Sequence, residues 1–115
     1  MSESSHAKRG SRVDEVFKAL ADPTRRKVIE RLVSGSASTT DLAEPFEMAL
    51  PSFLQHMSVL EKAGLVLSTK HGRIRTYRLS PVGLDAAEGW LADQRRLWER
   101  RLDQLDAFLV NQQAT

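Results

Sequence analysis

No cysteine occurs among the 115 residues, which excludes disulfides, thiolate metal sites, thiol redox sensing and cysteine nucleophiles together. Long apolar runs are missing too: nothing approaches the roughly 20 residues that a membrane helix needs. Met1 to Arg12 is polar and basic with no apolar segment behind it, so no secretory leader is expected and the cytoplasm is the expected compartment. There is no Ser/His/Asp set, no metal-ligand spacing and no phosphate-cradling glycine loop, so neither an enzyme nor a bound cofactor is expected. Acid is missing locally: Leu65 to Leu79 contains Lys70, Arg73, Arg75 and Arg78 but no Asp or Glu.

What is present is the composition of a globular domain, 41% hydrophobic and 28% charged. The length suits one domain with a core and no second one. The formal net charge is only +2, but it is unevenly spread. Met1 to Ser80 holds 13 Lys and Arg against 9 Asp and Glu, whereas Pro81 to Thr115 holds 4 against 6. A local cationic field of this kind matters more to a polyanion than the net charge does.

The stretch from Leu50 to Val66 is the most informative. Pro51 suits the start of a helix, where its missing N–H has no partner to lose, and Gly64 suits the left-handed residue that ends one. Leu50, Phe53, Met57 and Leu60 recur at helical period as a buried stripe, leaving Ser52, Gln55, Ser58 and Lys62 outside. A strand follows at once. Upstream, Val13, Val16, Phe17 and Leu20 have helical spacing, and Asp22-Pro23 separates this helix from a second over about Thr24 to Val33. That second helix should turn Val28, Ile29 and Leu32 inward and leave Arg25, Arg26, Lys27 and Arg31 exposed. Ser34 to Ser38 reads as a loop. Thr39 or Thr40 then caps a short helix through Ala43 or Phe46, which contributes Leu42 and Phe46 to the core, and a turn over about Glu47 to Ala49 completes a helix-turn-helix.

Strands over Leu65–Lys70 and Ile74–Ser80, joined through Lys70-His71-Gly72-Arg73, read as a hairpin, with Ile74, Tyr77 and Leu79 as inward positions. The last segment, Pro81 to about Leu109, reads as a long helix with Leu84, Leu91, Trp98 and Leu105 seven apart, and with Trp90, Leu97, Leu102, Phe108 and Leu109 widening the stripe. One small domain cannot cover a stripe so wide. Part is expected to fold back on the core and part to pair with a second copy, Leu91, Trp98, Leu102 and Leu105 being the candidates. The expected fold is mainly α with a small β-hairpin: a winged helix-turn-helix over 13–110 whose residues 81–110 form a dimerisation helix. A flexible basic arm over 1–12 and a tail over 111–115 flank it.

Three stretches in this order resemble the ArsR family of bacterial winged-helix repressors. They are Phe17 to Arg26 (FKALADPTRR), Leu54 to Val66 (LQHMSVLEKAGLV) and Gly72 to Leu79 (GRIRTYRL). The resemblance spans about Val13 to Leu109. It implies a homodimer joined through the first and last helices, which would add Val13, Val16 and Phe17 to the interface, and a repressor that occupies an operator until an inducer binds. Metal sensing in the family uses cysteines on the first helix of the helix-turn-helix, or Asp and His pairs on the last helix. Neither set is here: His6, His56 and His71 all lie outside the last helix, so no metal site is expected.

The partner implied is double-stranded DNA carrying an inverted repeat. Ser52, Gln55 and Ser58 are the base-edge candidates, since Gln pairs bidentately with adenine and Ser donates or accepts. His56 is placed at the backbone, or packs against the helix-turn-helix. Thr39 and Thr40 are helix caps and phosphate donors, and Lys62, Lys70, Arg73 and Arg75 are phosphate or minor-groove contacts. Leu54 stands at the edge of the buried stripe and belongs either to the core or against a thymine methyl. An unknown small-molecule or protein effector fits the same scheme. The competing expectation is a winged-helix interaction module for an acidic protein.

Overall fold

The computed structural model describes residues 12–114, so the basic arm expected over 1–12 lies, up to residue 11, outside the described residues. Helix α1 covers residues 12–20, α2 Pro23–Leu32 and α3 Thr39–Ala43. Helix α4 is Leu50–Lys62 and α5 Pro81–Ala114. Strand β1 is Ala37–Ser38, β2 Val66–His71 and β3 Ile74–Leu79. The core is built where these meet: Val16 and Ala19 of α1, Val28 and Leu32 of α2, Leu42 of α3, and Phe53, Met57 and Leu60 of α4 close against Val66, Tyr77 and Ala87.

The junction between α1 and α2 follows from its sequence. Pro23 forces the residue before it out of the helical region, and Asp22 sits at φ −95°, ψ 129°, free to cap α2 by accepting the Arg25 N–H at 3.1 Å. Arg25 and Arg26 do not simply line a solvated face, as their spacing suggests. The Arg25 guanidinium donates to the carbonyls of Ala19 and Lys18, at 2.8 and 3.0 Å, and Arg26 donates to Leu20 at 2.7 Å. These are the last carbonyls of α1, which have no helical partner of their own.

Helix α4 ends as Gly64 predicts. Gly64 has φ +75°, its N–H donates to the Glu61 carbonyl, and the Leu65 N–H donates to the Leu60 carbonyl, both at 3.0 Å. This is the paired bonding of a Schellman ending, with buried Leu65 turned back onto the core. The cap of α3 differs from expectation: Ser38, rather than Thr39 or Thr40, accepts the Asp41 N–H at 3.2 Å.

The sheet has three strands in the order β1-β3-β2, all antiparallel. The two-residue strand β1 is too short to show any periodicity in sequence, and only the hairpin is legible there. Lys70 stands opposite Arg75 and His71 opposite Ile74, leaving Gly72 and Arg73 as a two-residue loop. Within this loop only Gly72 has positive φ, at +59°, as a type II′ turn requires of its first central residue. Of the three positions expected inward, only Tyr77 is buried. Ile74 lies on the opposite face by strand alternation, and Leu79 sits at the open end of the sheet.

Helix α5 runs past Leu109, so residues 111–114 of the expected tail are helical. Its 34 residues reach about 50 Å, and the protein measures 74 × 38 × 22 Å. Only the first turns, around Gly83 and Ala87, are packed on the body, and Trp90 meets Phe17 edge to face with ring centres 5.8 Å apart. Beyond them Leu91, Leu97, Trp98, Leu102, Leu105, Phe108 and Leu109 are exposed.

Candidate nucleic-acid interface

Two contacts fix how α4 is rolled about its axis. Glu61 accepts the Ser68 hydroxyl of β2 at 2.7 Å, so the side of α4 that carries Leu50, Leu54 and Glu61 faces the wing. His56 Nδ1 lies 3.0 Å from the Arg25 guanidinium, so the side that carries Ser52, His56 and Val59 faces α2. With Phe53, Met57 and Leu60 buried, helical geometry leaves Pro51, Gln55, Ser58 and Lys62 as the outermost row. That row offers an amide, a hydroxyl and a cation.

The wing stands beside it. Arg75 donates to the Ser68 hydroxyl at 2.8 Å, continuing the Glu61 link, and the Thr39 hydroxyl donates to the Arg75 carbonyl at 3.3 Å. Arg78 donates to the Thr69 hydroxyl at 3.0 Å. Lys70 and Arg75 face each other directly across the two strands, an arrangement of like charges that is unfavourable unless an anion lies between or above them. Ser38, Thr39, Thr40, Leu50, Leu54, Lys70, Arg73, Ile74 and Arg75 together enclose a groove of about 400 Å³ between α3, α4 and the hairpin.

Several expected positions change role. Leu50 is 54% exposed and leaves the buried stripe, because the first turn of α4 projects beyond the core. Leu54, 41% exposed, faces the groove. His56 is turned inward, its Nδ1 also 3.8 Å from Asp22, so it anchors α4 to the α1–α2 junction. Thr39 spends its hydroxyl on the wing, and Thr40 stays exposed. Of the interface set, Val16 is completely buried within the protomer and Val13 nearly so, whereas Phe17, Leu91, Trp98, Leu102 and Leu105 are exposed. Gln55, Ser52, Ser58, Lys62, Lys70 and Arg73 are all at the surface. The role of Arg25 was missed in sequence, although two arginines directly after a capped helix start are a usable signal for bonding the preceding helix end.

Burial pushes the Asp22 carboxyl up, but the Arg25 N–H and the charges of His56 and Arg25 outweigh it and hold the group below its ordinary 3.8. The folded state thus favours the carboxylate. Its stabilising effect is complete above the pH at which the unfolded chain's carboxyl titrates and is lost as pH falls through the lower folded value. An Asp22→Asn variant should therefore be less stable than the parent at neutral pH, with the gap closing below about pH 3.8 in urea titrations. A constant gap would remove Asp22 as the source. Burial and Glu61 raise the Tyr77 hydroxyl despite Arg75 and Thr39, which keeps it neutral in the core.

Among the described residues no three His, Asp or Glu side chains converge as a metal site, and no helix is long and apolar enough to cross a membrane. A helix-turn-helix domain family matches residues 20–69. The HTH-type transcriptional regulator Rv2034 of Mycobacterium tuberculosis is 39% identical over 89 residues, 77% of this chain and 80% of its own length. The transcriptional repressor SdpR of Bacillus subtilis is 33% identical over 79 residues, 69% of this chain and 88% of its own. The crystal structure of the ArsR family transcriptional regulator RHA00566 superposes with a TM-score of 0.75 at 47% identity, covering 78% of this chain and 93% of the other. This chain belongs to the ArsR family of winged helix-turn-helix transcriptional regulators. A solution structure from Mycobacterium bovis, described as a homodimeric winged helix-turn-helix DNA-binding domain, shares 26% identity with this ArsR-family protein. Its TM-score is 0.60, over 83% of this chain and 86% of that one. In this winged helix-turn-helix fold α3 and α4 form the helix-turn-helix and the β2–β3 hairpin is the wing.

Proposed function

We propose that this protein is a cytoplasmic, homodimeric repressor that reads an inverted repeat in double-stranded DNA and has no catalytic step of its own. The observation that carries this reading is the outward row of α4, Gln55, Ser58 and Lys62, set beside a hairpin with four cations and no acid. The repressor role of SdpR and the homodimer from M. bovis support it. Two recognition helices would enter successive major grooves about 34 Å apart. Gln55, Ser58 and Ser52 reach base edges, whereas Thr40, Lys62, Lys70, Arg73 and Arg75 meet phosphates or a narrow minor groove. Residues 13–110 form the DNA-binding domain, and α5 beyond Trp90 forms the dimer seam.

Fluorescence anisotropy against the chain's own upstream intergenic DNA and a scrambled duplex, at several salt concentrations, tests the reading. A preference of about a hundredfold or more is expected, because non-specific binding rests on counterion release alone. Absence of any salt-dependent DNA affinity would sink it. Within this assay, Arg73→Ala should weaken both duplexes alike and reduce the salt slope by about 1, while Gln55→Ala should cost about 1 to 3 kcal/mol on the preferred duplex and little on the scrambled one. Equal losses on both duplexes for Gln55→Ala would make it a backbone contact.

A further inference from the structure

The groove between α4 and the wing has an unusual lining for a surface that meets a polyanion. Thr40, Lys70, Arg73 and Arg75 supply hydroxyl and charge, but Leu50 and Leu54, 54% and 41% exposed, supply two aliphatic side chains of α4 to the same space. A single exposed leucine needs no explanation. Two stacked one turn apart in a cationic groove are different, and the roll of α4 places Leu54 next to Gln55, on the wing side of the outermost row.

A major groove offers such a strip one apolar partner. Base edges there are hydrogen-bond donors and acceptors, and the C5 methyl of thymine is the exception. An aliphatic side chain pressed onto a cytosine amino group or a guanine carbonyl leaves that group without a partner, which is unfavourable, while a thymine methyl is removed from water with gain. Resting on the operator reading above, we propose that Leu54, with Leu50 one turn before it, is a specificity-determining contact that reads thymine methyl groups in each half-site. The cations of the wing beside the groove hold the flanking phosphates. Gln55 reads the neighbouring pair through hydrogen bonds, so the helix divides its code between an amide and a hydrocarbon.

The test uses the full-length protein and duplexes selected by it from a random-sequence library. Each thymine of the preferred half-site is replaced in turn by deoxyuridine, which removes the methyl and leaves every hydrogen-bonding group in place. One or two positions should bind about fourfold more weakly per methyl removed. Leu54→Ala should bind the thymine and deoxyuridine duplexes within about 1.5-fold of each other at those positions, because the gain from the methyl goes with the side chain. The deoxyuridine scan on the unaltered protein stands even if the variant folds poorly, and Leu50→Ala gives a second, more exposed truncation. Specific binding that ignores every thymine replacement overturns methyl reading and leaves the operator reading intact. A penalty that persists unchanged in both truncations also overturns it, since the methyl would then act elsewhere. Failure to enrich any sequence from the library overturns the operator reading itself.

Discussion

Gly83→Ala should destabilise the protein by about 3 kcal/mol, the upper end for overpacking, lowering the melting temperature by about 12 to 24 °C. The reason lies in how α5 leaves the body. Its Gly83 N–H donates to the Gly64 carbonyl at 2.8 Å, so two backbones touch with no side chain between them. A Cβ on Gly83 would run into the Ala63 carbonyl oxygen and sit 3.0 Å from the Gly64 carbonyl carbon and oxygen. Those atoms are main chain and cannot rotate away, and Gly64 is already committed to φ +75° as the end of α4. Gly89, two turns further on, provides the contrast: nothing lies within 4 Å of a Cβ there, so Gly89→Ala should stabilise the helix by about 0.8 to 1 kcal/mol. Thermal and urea unfolding followed by circular dichroism would read both. A Gly83→Ala protein that melts with the parent would mean that α5 does not dock through this crossing.

The double substitution Trp98→Glu, Leu105→Glu should turn dimer into monomer and lower affinity for a full operator by about a hundredfold or more. Both side chains are more than half exposed on the projecting part of α5, one heptad apart, with Leu102 between them. Binding of the second half-site is then no longer intramolecular, which is where the loss arises. Neither residue touches the body, and Glu is a good helix former, so the protomer should remain folded. Light scattering after size exclusion gives the mass and anisotropy the affinity. A dimeric mass in the double variant would move the interface to the α1 end, where Phe17 and Trp90 form the exposed aromatic pair.

The sequence was legible where a residue type has one local job. Asp22-Pro23 marks a helix boundary, Gly64 a helix end and Gly72 a hairpin turn, and each does so through backbone limits that no distant contact alters. The core stripe of α4 was legible through Phe53, Met57 and Leu60, and it failed at Leu50, because periodicity gives an angle about the axis and not the point at which the body ends. The family resemblance placed Val16 in the interface, but in the protomer it is completely buried: a position on α1 is apolar either way, and only packing tells an inner side from an outer one. Strand β1 escaped notice since two residues carry no alternation, and the inward turn of His56 depends on Arg25, 31 residues away. At the interface, the cations of the wing and the polar row of α4 could be named in advance. The bonds that set the wing against α3 and α4, Thr39 to Arg75 across 36 residues and Ser68 to Glu61 across a change of element, left no mark.

Those ties have a mechanical consequence. Strand β3 is central, bonded to β2 on one edge and to β1 on the other, and β1 runs directly into α3, so the hairpin cannot swing without carrying the helix-turn-helix along. Glu61, Ser68 and Arg75 lace its free side to α4. Each protomer thus offers DNA a single stiff reading head. In the proposed dimer, grip is then adjusted by the separation and tilt of two heads on their shared α5 stalk, in the manner of a pair of calipers whose jaws do not bend.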